Sequence, residues 1–170
     1  MWDSLRSFEA GDFSSWLREG NFIVDPFSTF YTLLGIHSIG MAIVVGISFM
    51  LSSRIFGFQL GLSMKKGLEL LPLAWWGFWI NFGSGVLLVL AQPRREMMTF
   101  LFWAKMLTIL LAFLSLRTVQ RGLEAMQTPQ GALEIAPWNL RLQTLLVDLF
   151  WLGAIISGRL IGYTQPPPPL

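Results

Sequence analysis

Cysteine is absent from the sequence, and histidine occurs once, as His37. The first absence excludes disulfides, thiolate metal sites and thiol catalysis. The second excludes a pair of bis-histidine haems, because two haems with two imidazole ligands each need about four histidines. Charged residues make up 13% of the chain and the net charge is +2, so we expect no nucleic-acid partner. The chain has no metal-ligand spacing, no phosphate-binding glycine loop and no nucleophilic triad, so we do not expect it to be an enzyme on its own.

Apolar residues are abundant instead, at 54% of the chain and a mean hydropathy of +0.58. Runs of at least about 18 apolar residues are typical of transmembrane helices, because backbone amides in lipid must bond within their own segment. The sequence predicts four spans, at about 30–51, 70–91, 100–116 and 142–163. The connections are short enough to join antiparallel neighbours, so we expect an all-α integral membrane protein with an up-and-down four-helix bundle.

Residues 1–28 have a different character from the spans, because aromatic and apolar residues recur there every three to five positions among charges. This spacing predicts an interfacial amphipathic helix with its aromatic side toward lipid, ended by Asp25 and Pro26. A cleaved signal peptide is not expected. The transmembrane domain is predicted to cover 29–164. The prolines of 165–170 predict a stiff extended tail, which is either a disordered end or a docking segment.

The distribution of basic residues predicts the orientation, since Lys and Arg concentrate in cytoplasmic loops. Six basic residues follow the first and third spans, and four lie on the opposite side among more acidic residues. We therefore expect both termini on the outer side of the membrane. The first group is Arg54, Lys65, Lys66, Arg117, Arg121 and Arg141, and the second is Arg6, Arg18, Arg94 and Arg95.

Small and polar residues form stripes at three- and four-residue spacing, which is typical of the packed faces of transmembrane helices. We expect each stripe to face the bundle interior, with Asn81 near the middle of the membrane. The stripes are Ser38, Ala42 and Gly46 in the first span, Ala74, Gly77, Asn81, Ser84 and Gly85 in the second, and Lys105, Thr108, Ala112 and Ser115 in the third.

Three residues with basic side chains lie at a similar depth, because alternate spans run in opposite directions. At 1.5 Å per residue, His37, Lys105 and Arg159 are about 6 to 10 Å from the same membrane surface. We expect them to converge in the outer leaflet. The alternatives are that Lys105 and Arg159 extend to the surface, that His37 bonds a serine or a backbone carbonyl across the bundle, and that Asp148 pairs with Arg141 or Asn81.

This group of residues favours a quinone-like or other amphiphilic ligand. A quinone needs a hydrogen-bonding partner at each oxygen and an aromatic slot, and the candidate residues are His37, Lys105, Arg159, Asn81, Trp103 and Tyr163. A single haem or a chlorophyll-type pigment, with His37 as axial ligand, is a less favoured alternative.

Four segments carry a resemblance to known proteins: "GIHSIGMAIVVGISFMLSSRIFGF", "PLAWWGFWINFGSGVLLVLA", "FLFWAKMLTILLA" and "WLGAIISGRLIGY". They resemble a bacterial family of four-helix inner-membrane proteins of unknown function. The third-span motif, a lysine after an aromatic residue, is also similar to membrane domains linked to copper resistance, although those carry further histidines. The resemblance implies the architecture and a bacterial inner membrane, in which the outer side that holds both termini is the periplasm. It also implies that the buried basic positions belong together. The matching positions are His37, Gly40, Lys105, Gly158, Arg159 and Tyr163.

These observations favour an accessory or redox-associated subunit that binds a quinone-like cofactor beside a larger electron-transfer complex. Its partners would be membrane lipids and other membrane-protein subunits. A purely structural subunit of such a complex, without its own cofactor, is the main alternative. A small-solute carrier is a less favoured alternative, because the four predicted spans show no internal duplication and no broken mid-membrane helix.

Overall fold

The structure is a computed structural model and describes residues 2–20, 29–58, 64–125 and 136–163. Within these ranges the chain forms eight helices and no strand, which confirms the all-α class. The helices are α1 (Trp2–Glu9), α2 (Asp12–Glu19), α3 (Thr29–Phe56), α4 (Met64–Glu69), α5 (Leu71–Ala91), α6 (Pro93–Met97), α7 (Phe100–Ala125) and α8 (Trp138–Ile161). The predicted helix end at Asp25 and Pro26 and the proline-rich tail lie outside the described residues.

Four helices are long and apolar enough to cross a membrane, namely α3, α5 with most of α4, α7 and α8. Even α5 alone, with 21 residues, is about 32 Å long, against a hydrocarbon core of about 30 Å. The protein is therefore a multi-pass membrane protein that contacts lipid.

The third membrane helix is longer than the predicted span, because α7 continues past residue 116 to Ala125. Its buried face continues through Leu116, Val119 and Leu123, which are at most 3% exposed. The charged residues of this last part face outward. An amphipathic pattern of this kind extends a helix beyond the apolar stretch, so the first part of the connection between the third and fourth predicted spans is helical.

The membrane helices form an up-and-down bundle in which α3 packs closely on α5, α7 packs closely on α8, and α3 also contacts α8. The contact between α5 and α7 is made by large rings, with the Phe113 ring centroid 5.2 Å from those of Trp75 and Phe78. One end of the bundle carries α1, α2 and α6, and the other carries α4. We call these the α6 end and the α4 end.

The predicted stripe of the second span faces the interior, since Ala74, Gly77, Asn81 and Ser84 are buried. The prediction for the first span is wrong. Ser38, Ala42 and Gly46 are exposed, and the buried face of α3 instead contains His37, Gly40, Val44 and Ser48. The reason is a close approach of two backbones, which occurs at Gly40 rather than along the predicted stripe.

At this approach, a Cβ atom on Gly40 would lie 2.7 Å from the backbone nitrogen of Asn81 and 2.9 Å from the carbonyl oxygen of Gly77. A Cβ atom on Gly77 would lie 2.8 Å from the Ile43 side chain. Glycine on both helices therefore brings the backbones of α3 and α5 together, as small residues do in membrane bundles.

The two N-terminal helices cover the α6 end. Ser14 Oγ lies 3.1 Å from the carbonyl oxygens of Leu90 and Ala91, and Arg18 Nη1 donates to Ala91 at 2.9 Å. These bonds satisfy carbonyl groups that have no partner within α5. Phe13 and Trp16 are about half exposed on the other side of α2, as suits a helix at the membrane surface.

We expect Gly40→Ala to destabilise the protein by about 1 to 3 kcal/mol, because the added methyl group meets backbone atoms that cannot move independently. Gly46→Ala, in the same helix, is the matched control, since no atom lies within 4 Å of its Cβ position. The measurement is the free energy of unfolding in detergent micelles. Equal stability of the two variants would contradict the close approach.

Candidate functional site

His37 and Asn81 join α3 and α5 by reciprocal hydrogen bonds. The Nδ1 atom of His37 lies 2.9 Å from the backbone oxygen of Asn81, and Nδ2 of Asn81 donates to the backbone oxygen of His37 at 2.8 Å. Both side chains are buried, so these bonds give His37 Nδ1 and Asn81 Nδ2 partners in the dry interior. His37 thus bonds a backbone carbonyl across the bundle, as one sequence alternative expected.

This contact determines which nitrogen of the neutral His37 ring carries the proton. A carbonyl oxygen only accepts, so Nδ1 is the donor and Nε2 keeps its lone pair. Ser84 Oγ lies 3.2 Å from Nδ1 as a second acceptor, because its own hydrogen is directed at carbonyl oxygens of α5. Within the described ranges, Nε2 makes no hydrogen bond.

Lys105 extends along α8 rather than away from the bundle. A Cβ atom on Gly158 would lie 3.5 Å from both Cε and Nζ of Lys105, so the glycine leaves a surface against which the side chain packs. The Lys105 charge lies within electrostatic range of His37 and Glu96. Its Nζ makes no hydrogen bond to another residue of the described part of the chain.

Glu96, on α6, lies outside the membrane spans but close to Lys105. Burial raises the pKa of the Glu96 carboxyl above its usual value of 4.5, and the positive charges of Lys105 and Arg95 oppose this shift. Arg95 also joins α6 to the end of α8, with Nη2 2.6 Å from the carbonyl oxygen of Gly162. The short α6 helix therefore lies over the end of the bundle and carries the Glu96 carboxyl close to Lys105.

The other predicted site residues face outward. The Arg159 guanidinium lies 5.4 Å from the Tyr163 ring centroid, and both side chains are exposed. Trp103 is also exposed and donates from Nε1 to the Met97 carbonyl oxygen at 3.1 Å. Helix geometry explains this, because Arg159 lies about 100° around the helix from Gly158, and Trp103 about 200° from Lys105. The structure therefore groups His37, Asn81 and Lys105 and leaves Arg159, Tyr163 and Trp103 at the surface.

Sequence reasoning did not include Glu96, Ser84 or Gly85 among the site residues. Gly85 contacts the His37 ring, since a Cβ atom there would lie 3.1 Å from Cε1. The signal for Ser84 and Gly85 was their place in the stripe that contains Asn81. The signal for Glu96 was an acidic residue in the short connection immediately before the span that carries Lys105.

Asp148 belongs to a different part of the bundle. The sequence suggested Arg141 or Asn81 as its partner, but its side chain lies near Ser52 of α3, and its Oδ1 has no hydrogen-bond partner within the described residues. The amide of Asn81 is already bonded to His37. Asp148 is therefore not part of the group formed by His37, Asn81 and Lys105.

Comparisons with protein-family models, with curated proteins and with solved structures find no match to this chain. The resemblance to a four-helix inner-membrane family stays a prediction, and the function has to be argued from the site geometry.

We expect Asn81→Ala to lower the free energy of unfolding by about 1 kcal/mol, because a side-chain hydrogen bond between membrane helices contributes about that much. Asn139→Ala is the control, since Asn139 is exposed at the start of α8. The measurement is denaturant unfolding in micelles. A loss of equal size in both variants would contradict the role of the bond between α3 and α5.

The raised pKa of Glu96 predicts a pH dependence of stability. Folding favours the protonated acid, so this contribution is fully present below about pH 4.5, the ordinary pKa of the group, and is lost as the pH rises through the folded-state pKa. We expect Glu96→Gln to flatten this part of the profile of unfolding temperature against pH. An unchanged profile would show that Glu96 does not cause the dependence.

Proposed function

We propose that the chain is an accessory subunit of a membrane electron-transfer assembly and binds a quinone-like ligand at the α6 end, beside His37 and Lys105. One observation carries the proposal. In one leaflet, an imidazole acceptor and an ammonium donor lie within electrostatic range of each other. Neither His37 Nε2 nor Lys105 Nζ makes a hydrogen bond within the described residues.

The two free groups complement the oxygens of a quinone in its two redox states. A quinone carbonyl accepts a hydrogen bond, which the Lys105 ammonium can donate. A quinol hydroxyl donates a hydrogen bond, which His37 Nε2 can accept. At 1.5 Å per residue, His37 lies about 12 Å from the start of α3 and Lys105 about 8 Å from the start of α7. This depth suits an amphiphilic ligand whose tail extends toward the membrane centre.

The surrounding residues support the two binding groups without contacting the ligand themselves. Asn81 holds α3 and α5 in register and so orients the ring. Glu96 provides a negative charge near Lys105, which offsets the cost of an ammonium that is partly buried in a membrane bundle. Asn81 and Glu96 therefore stabilise the two polar binding groups within an otherwise apolar bundle.

A histidine whose Nδ1 donates to a carbonyl and whose Nε2 has a lone pair is also suited to axial ligation of a metal. A single haem or chlorophyll-type pigment therefore stays the second candidate ligand. Quinones and pigments differ in their optical spectra, so one preparation distinguishes them.

We also propose that the protein lies in a bacterial inner membrane with the α6 end toward the periplasm. Supporting this, the α4 end carries the larger group of basic residues, from Arg54 to Arg141, and basic residues favour the cytoplasmic side. The proposed ligand site would then open in the outer leaflet.

The test is purification in a mild detergent with native lipids, followed by an optical spectrum and an organic extract. We expect about one quinone per chain in the wild type, and roughly tenfold less in His37→Ala and Lys105→Met, as for the loss of a polar ligand contact. Arg159→Met is the matched control, because Arg159 is a basic residue at similar depth with an exposed side chain.

A colourless protein without stoichiometric quinone would contradict the proposal. In that case, if a partner complex stays bound to the His37→Ala and Lys105→Met variants, the result would favour a purely structural subunit. An absorption band lost in His37→Ala would favour a haem or pigment instead.

A further inference from the structure

A recess lies at the α4 end, at the opposite side of the bundle from His37 and Lys105. It has a volume of about 390 Å³ and lies between α4, the start of α5 and the end of α7. This volume is within the range of small-molecule sites, about 300 to 1,000 Å³. Its lining includes Lys65, Glu69, Pro72, Trp75, Gln120 and Glu124.

A chain of hydrogen bonds orders one wall of this recess. Trp75 Nε1 donates to Gln120 Oε1 at 3.3 Å, and Gln120 Nε2 donates to Glu124 Oε1 at 2.9 Å. Gln120 thereby holds both the indole ring and the carboxylate in position. The second oxygen of Glu124 makes no hydrogen bond within the described part of the chain, so it is available to a ligand.

One cation and two acids line the recess, and a second cation lies beside it, over the ring of Trp75. The Arg117 guanidinium lies 4.8 Å from the Trp75 ring centroid and 5.2 Å from that of Phe113, in a cation–π arrangement. Lys65 is the other cation, and Glu69 and Glu124 are the acids. Charges of both signs therefore meet at the recess, which favours a ligand that is itself both positive and negative.

The position of the recess indicates that this ligand is a lipid. Trp75 is four residues into α5, about 6 Å along its axis, which is the level where tryptophan meets the membrane surface. Beside it, α5 and α7 are held apart by aromatic rings rather than packed backbone to backbone. An acyl chain can lie along this seam while the head group occupies the recess.

We propose that the recess binds a zwitterionic phospholipid whose head group carries a primary ammonium. The ammonium donates to Glu69 and Glu124, and the phosphate accepts from Lys65 and Arg117. A choline head group has no N–H donor for the acids. A glycerol head group lacks a positive charge and meets two carboxylates. This inference does not depend on the proposed quinone site, which lies at the other end of the bundle.

The experiment uses the full-length protein, delipidated in detergent and titrated with phosphatidylethanolamine, phosphatidylcholine or phosphatidylglycerol with identical acyl chains. Bound lipid is counted by native mass spectrometry. We expect the ethanolamine lipid to bind roughly fivefold more tightly than the other two, which is the effect of two partly exposed charged hydrogen bonds. The double variant Glu69→Gln with Glu124→Gln should lose this preference.

The double variant Asp12→Asn with Glu19→Gln is the control, because it removes two exposed acids at the α6 end and should keep the preference. Gel filtration of each variant checks that the fold is intact, and all four substituted positions are exposed. Equal binding of the three lipids by the wild type would overturn the proposal. Tighter binding of phosphatidylglycerol, or a preference that survives in Glu69→Gln with Glu124→Gln, would overturn it as well.

Discussion

The contact between α3 and α5 is the constraint on which the rest of the structure depends. Glycines at 40 and 77 bring two backbones together, and the hydrogen bonds between His37 and Asn81 close the same interface. In lipid, helices gain little from burying apolar surface, so close packing and shared hydrogen bonds determine how they associate. This contact selects the buried face of α3 and directs Nδ1 of His37 toward α5.

The other interfaces of the bundle differ in how tightly they pack. Helices α7 and α8 pack on each other as extensively as α3 and α5, whereas α5 and α7 are separated by aromatic rings. Val44, Ala112 and Ala154 belong to one apolar core between the two ends, each at most 1% exposed. The two proposed binding sites therefore lie at opposite ends of the bundle, separated by a dry core, and can be altered independently.

Charged residues in and near the membrane are accommodated in three different ways. Lys105 has a nearby acid on α6, Arg117 lies over aromatic rings, and Arg159 lies at the surface over Tyr163. Of the three, Lys105 lies along α8 at Gly158, and its Nζ makes no hydrogen bond within the described residues. For this reason the structure favours Lys105, rather than Arg159, as the partner of His37 at a ligand site.

The sequence by itself determined the class of the protein, because long apolar runs in lipid can only be helices. It also determined the depth of each residue, since depth follows from position along a helix. Which way a side chain faces was decided by the tertiary structure. His37 and Ser38 are adjacent in sequence, yet only His37 is buried, because the approach at Gly40 sets the rotation of α3. Lys105 and Arg159 share a depth but face different surroundings, since rotation about each axis depends on the neighbouring helices.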